Sequence, residues 1–255
     1  ELAAWKAAGH DLPDAVTLGG LGEPSLNSDC SEIIAGAKKL FPRVPVAVLT
    51  NSSLLPDPQV RSELSGADII LPSMDTLVEA EYRCLNRPHP GITLAAIRQG
   101  LLDFRAGYEG AIFLEVLLLA GINDTGENLE LLRDFCRELA PTRVDVVTMT
   151  RPGAHSGAKA VSRDVLTRFR TALVGSAAPA EAFPSGHGPT ALVARQTDDL
   201  AARIAASVAR RPQRAGDLAT ALGVPVCRVQ KALETLERTG SVRRELSGHD
   251  IFYSG

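Results

Sequence analysis

Apolar positions along the chain come in two textures. Short, nearly unbroken runs of β-branched residues and leucine occupy residues 15–18, 44–49, 68–71, 111–118 and 144–148. Runs without polar alternation predict parallel strands covered on both faces. Between them the apolar residues recur at helical spacing, over 30–40, 59–64, 76–85, 93–104 and 127–139. The first of these carries Ile33, Ile34, Ala37 and Leu40 on one face. The last follows a cap at Asn123-Asp124-Thr125 and aligns Leu129, Leu132, Phe135 and Cys136. Strand–helix alternation of this kind predicts an α/β fold whose parallel sheet curls into a TIM-like barrel or part of one.

Beyond a further helix at 163–174 the pattern weakens. A Gly/Ala/Pro/Ser-rich stretch, GSAAPAEAFPSGHGP, with a short strand at 191–194, reads as a connector over 176–197. The tail, 198–255, has a different texture. Helices are expected at 198–209, from Ala215 to a stop at Gly223, and over 225–239 with Pro225 in the first turn. Residues 241–246 and 250–253 then flank Ser247-Gly248, a hairpin signal. Three helices and a hairpin describe a small winged helix-turn-helix domain following a barrel over 1–175.

Composition sharpens this picture in three places. The longest apolar run, 112–122, is broken by Glu115 and Gly121, and the start has neither a basic flank nor a signal-like apolar stretch. Both point to a cytoplasmic chain without a membrane partner. Cys30, Cys84, Cys136 and Cys227 lie at least 50 positions apart, so no metal-ligand spacing or disulfide framework is present. Residues 201–255 hold nine Lys/Arg against five Asp/Glu, on a chain whose net charge is −3. A basic tail on an acidic body implies different partners for the two parts. Arg228 and Lys231 near the start of the second tail helix, with Arg243 and Arg244 on the wing, are the candidate nucleic-acid contacts, and a protein partner is the other use of such a module.

The unusual polar loops all follow strands: GLGEPSLN, TNSSLLP, PSMDT, LLAGINDT and MTRPGAHSG. In parallel α/β folds the loops at the strand carboxyl ends form the site. Gly20 and Gly22 leave the first strand end bare, Glu23 offers an acceptor for an ammonium group, and Pro24 fixes the turn. Without GxxxxGK the loop is a poor phosphate cradle and a better seat for a zwitterion such as an amino acid. Asn51 and Ser52 either face that ligand or cap a turn. Asp75 either faces it or caps a helix at Thr76. Glu115 interrupts an apolar run and needs a ligand or an ion pair, with Arg87 or Arg151 as partners. Arg87 suits a carboxylate or phosphate of a substrate, and His89 stands beside it.

In order, GLGEPSLN, PVAVLTNSSLL, ADIILPSMDT, NRPH, FLEVLLLAGIND and TRP cover most of residues 14–152. This series resembles the radical S-adenosylmethionine superfamily, most nearly the branch of the wyosine-forming tRNA enzymes and their bacterial relatives. The resemblance implies an oxidoreductase that cleaves S-adenosylmethionine to a 5′-deoxyadenosyl radical and modifies an RNA or protein substrate. It implies that Gly20, Gly22 and Glu23, with Pro24, bind the methionine amino group, and that Ser73 and Asp75 meet the ribose. Asn51 and Glu115 would lie near the cofactor, and the backbone from Met149 to Arg151 would meet the adenine.

One family feature is missing. The CxxxCxxC that holds the four-iron, four-sulfur (4Fe-4S) cluster does not occur in this sequence. The expectation is therefore a partial (β/α)6 barrel lacking its first strand, cut from a longer protein whose cluster segment precedes Glu1. Such a chain would bind no metal itself, and no catalytic residue is assigned. The rival reading is a degenerate barrel that senses a small molecule and a tail that binds DNA. An aldolase or isomerase is disfavoured because no rim lysine stands in a buried strand.

Overall fold

In the computed structural model the apolar runs become five strands, β1 (Val16–Leu18), β2 (Val46–Thr50), β3 (Ile69–Pro72), β4 (Ala111–Leu118) and β5 (Arg143–Thr148). The structure describes residues 2–9, 12–20, 22–149, 158–174, 200–222, 224–247 and 250–255. The strands are parallel and lie in sequential order in one sheet, with Val16 opposite Val46, Ala47 opposite Ile69, Ile69 opposite Ala111 and Phe113 opposite Arg143. Sequential parallel order with a helical crossover after each strand is the topology of a partial TIM-like barrel. The crossovers are α2 (Cys30–Leu40), α3 (Pro58–Leu64), α4 (Glu79–Asn86) with α5 (Leu94–Gly107), and α6 (Gly126–Leu139). They are preceded by α1 (Leu2–Ala7) and followed by α7 (Arg163–Val174).

One face of the sheet is sealed by these helices. Val46, Val48, Ile70, Ile112, Leu114, Val116 and Leu118 are fully buried against Ile34, Leu64, Leu101, Leu132 and Phe135. Each such side chain contributes about 1.5–3 kcal/mol by leaving water. The other face departs from expectation. Among the described residues its core is the cluster of Ala47, Ile69 and Ala111, with Leu71 and Phe113 partly buried, and Leu49 is 42% exposed. Glu115 lies on this face and is exposed rather than buried. The strands are thus covered on one face and partly open on the concave one.

Helix 76–85 starts three residues late, because Asp75 does not cap it. The Thr76 hydroxyl accepts the Val78 N–H (3.0 Å) and donates to Glu81 (2.6 Å), and the helix opens at Glu79. A second unit contains α8 (Leu200–Arg210), α9 (Ala215–Leu222), α10 (Val226–Arg238) and the antiparallel pair β6 (Arg243–Ser247) and β7 (Asp250–Ser254). Ile204, Val208, Leu218, Val229, Leu233 and Val242 form its core. Gln213 and Tyr253 exchange backbone hydrogen bonds of 3.0 and 2.9 Å, adding a third rung beside the hairpin. The expected strand at 191–194, the connector and the Thr150–Arg151 backbone lie outside the described residues. No helix among the described residues is long and apolar enough to cross a membrane.

Candidate functional site

The loop after β1 turns sharply. Gly20 has φ 150°, a backbone state suited to glycine, and a Cβ at Gly20 or Gly22 would meet only open space. Glu23 then caps a short 3-10 turn, Pro24–Leu26. Its Oε1 accepts from the Ser25 N–H (3.2 Å), the Ser25 hydroxyl (2.6 Å) and the Thr50 hydroxyl (2.6 Å), and its Oε2 accepts the Asn51 N–H at 2.7 Å. The carboxylate is therefore locked to the end of β2. A carboxylate has about four lone-pair sites, so one on Oε2 is left for a ligand donor. Asn51 takes part through its backbone, while its side chain caps the following turn by accepting the Ser53 N–H at 2.9 Å.

From Thr50 the arc continues strand by strand. Thr50 O accepts the Ser73 N–H (2.9 Å), and the Ser52 hydroxyl donates to Ser73 O (2.9 Å). Ser52, expected to face the ligand or cap a turn, is instead fully buried, left-handed at φ 66°, and spends its hydroxyl on Ser73. Ser73 bridges to Glu115, and the Met74 N–H donates to Glu115 O at 3.0 Å. Asp75 Oδ1 accepts the Leu117 N–H at 2.9 Å, the contact that draws it away from capping α4. Asn123 and Asn128, both fully buried, donate to Asp75 O at 2.8 and 3.1 Å and fix this loop from behind.

Charge on the rim is acidic. Burial pushes the Asp75 carboxyl up to about 6, opposed by the Leu117 N–H, reinforced by the Glu115 charge and eased by a hydrogen bond from the Asn86 side chain. The Glu115 carboxyl is also raised, first by desolvation and then by Asp145. Asp145 was not singled out in the sequence, and it stands opposite Glu115 in the β4–β5 register. It pairs with Arg143, whose guanidinium lies 4.0 Å from the Phe113 ring centroid. Glu115 makes no ion pair with Arg87, the partner proposed for it, nor with any other described residue; Arg151 lies outside the described residues.

Arg87 and His89 do not join the arc. They line a separate open pocket with Glu79, Arg83, Ile92 and Thr93. In the second unit Lys231, Arg243 and Arg244 are exposed and Arg228 is half-buried. Arg243 and Arg244 are neighbours on β6, opposite Ser254 and Tyr253 respectively, so they project from opposite faces of the hairpin. Among the described residues, no group of three or more His, Cys, Asp and Glu side chains is placed to hold a metal ion.

No family model matches the chain. It is 28% identical over 245 residues to a protein named GTPase Obg from Brachyspira hyodysenteriae, spanning 94% of this chain and 35% of that one. It is 40% identical over 154 residues to a UPF0026 protein of Synechocystis, spanning 60% of this chain and 54% of that one. The chain thus spans between about a third and about half of these relatives. Among solved structures it is similar to a radical SAM methyltransferase from Sphaerobacter thermophilus, with a TM-score of 0.52, 19% identity, and coverage of 70% of this chain and 53% of the other. That likeness shows the fold alone, a partial TIM-like barrel.

Proposed function

We propose that the first unit is the cofactor-holding part of a radical S-adenosylmethionine enzyme. The observation that carries this reading is the hydrogen-bonded arc in which Glu23, Asn51, Ser73 and Asp75 come from three successive strand ends and meet the backbone of Glu115 within β4. In this reading the free lone pair of Glu23 Oε2 accepts from the methionine ammonium, which approaches over the bare backbone of Gly20 and Gly22. Ser73 and Asp75 serve the ribose hydroxyls. Glu115, which makes no ion pair with a described residue, adds negative potential, which favours a sulfonium over a neutral thioether. When bound with an iron–sulfur cluster, S-adenosylmethionine supplies a 5′-deoxyadenosyl radical. The described residues do not fit that cluster, since Cys30 and Cys136 are buried apart and Cys84 and Cys227 are scattered on the surface. This chain's own part is to bind and orient the sulfonium compound.

Calorimetric titration of the chain with S-adenosylmethionine and S-adenosylhomocysteine tests the reading. The sulfonium form should bind about tenfold tighter, a difference of about 1.4 kcal/mol. Equal affinity, or no binding of either, refutes it. For the second unit we infer a winged helix-turn-helix, supported by the Gln213–Tyr253 rung beside the hairpin. Its exposed cations suit nucleic-acid phosphates, so RNA brought to the rim is the substrate class this reading favours. A mobility shift that weakens steeply with salt supports it. A shift with duplex DNA alone favours the regulator reading, and none leaves protein docking.

A further inference from the structure

The link between α4 and α5 begins with an exposed arginine in the left-handed cap position, as Ala140 closes α6. Arg87 ends α4 with φ 44°, a left-handed conformation that a side chain of this kind rarely adopts. Pro88 disfavours the right-handed helical state for the residue before it, and the preceding Asn86 side chain is tied to Asp75. Yet the Arg87 guanidinium has no hydrogen-bond or ion-pair partner among the described residues. The arginine is thus kept, exposed and unpaired, at a position where a glycine would fit the backbone more easily.

Its neighbours complete a set of donors. His89 Nδ1 accepts the Gly91 N–H at 3.3 Å, so in the neutral ring the proton sits on Nε2, which is left to donate. Arg83 spends its Nε on Glu79 at 2.9 Å, leaving its terminal nitrogens. Together these groups border an open pocket of about 440 Å³, whose one carboxylate among the described residues, Glu79, is paired with Arg83. We propose that this pocket binds a phosphate group through Arg87, Arg83 and His89. A carboxylate would be filled by one guanidinium fork, whereas a phosphate offers three oxygens to three separate donors. The inference is independent of the sulfonium reading.

The test is calorimetry on the full 255-residue chain with inorganic phosphate, a nucleoside 5′-monophosphate and a short single-stranded RNA. Arg87→Gly and Arg87→Asn both tolerate the left-handed backbone and remove the guanidinium. Each should weaken phosphate binding about tenfold and lower the slope of log affinity against log salt for RNA by about 0.7, the contribution of one contact. Arg87→Gly should also raise the thermal midpoint, whereas a purely structural Arg87 would lower it. Binding of phosphate and the mononucleotide but not RNA assigns the site to a free nucleotide. Tighter RNA binding that is sensitive to both variants assigns it to a polynucleotide backbone. Failure of all three probes to bind, or RNA binding that neither variant changes, overturns the proposal. S-adenosylmethionine affinity should be the same in both variants, which separates this result from the fate of the cofactor reading.

Discussion

Asp75→Asn should make the protein more stable at neutral pH, and the gain should vanish in acid. The carboxyl has its ordinary value of 3.8 in the unfolded chain and about 6 in the folded one. A group raised on folding stabilises the fold fully below its unfolded value and loses that contribution as pH rises through its folded value. The window is therefore pH 3.8 to about 6. A shift of about two units corresponds to about 3 kcal/mol at 1.36 kcal/mol per unit. Asparagine keeps a carbonyl oxygen for the Leu117 N–H while removing the buried charge. The variant should exceed the native protein by up to about 3 kcal/mol at pH 8 and by nearly nothing at pH 4. Urea unfolding followed by the fluorescence of the single tryptophan, Trp5, and by circular dichroism would measure the difference. Taking variant minus native removes most other titrations. A variant less stable than the native protein at pH 8, or a difference that does not change with pH, would refute the reasoning.

Two other substitutions test the construction of the rim and its support. Glu23→Ala strips the acceptor from Ser25, Thr50 and Asn51, and should cost about 2–3 kcal/mol in urea unfolding through the donors left unpaired. Gly100→Ala would ordinarily gain up to about 1 kcal/mol in a helix interior. Here its Cβ would meet the Leu55 and Pro56 backbone at 2.6 Å, so the sign should reverse to a loss of about 1–3 kcal/mol, seen as a lowered thermal midpoint.

Much of the fold was legible because it is written locally. Helices 30–40 and 163–174 match their apolar spacing residue for residue, and all five strands of the parallel sheet fall within two residues of the apolar runs. What escaped depends on contacts distant in sequence. Asp75 reads as a helix cap until β4 supplies the Leu117 N–H, 42 positions away, as a stronger partner. Glu115 reads as a buried acid seeking a cation because its neighbours are apolar. Only the register shows that it faces the open side and that its close charge is another acid, Asp145. Within VDVVT, Asp145 looked like an ordinary break in a strand. Ser52 carried no local mark of its left-handed turn, because nothing in NSS demands one.

The asparagine pair behind Asp75 has a consequence for how the rim can be adjusted. Asn123 and Asn128 bind the β3 loop, the end of β4 and the start of α6 through amides that never ionise. Acid can therefore change the charge displayed by Asp75 and Glu115 while the amide bonds around the β3 loop persist. These two asparagines hold the β3 loop in place whatever the charge on Asp75, so pH alters what this part of the rim displays more than the backbone it is built on.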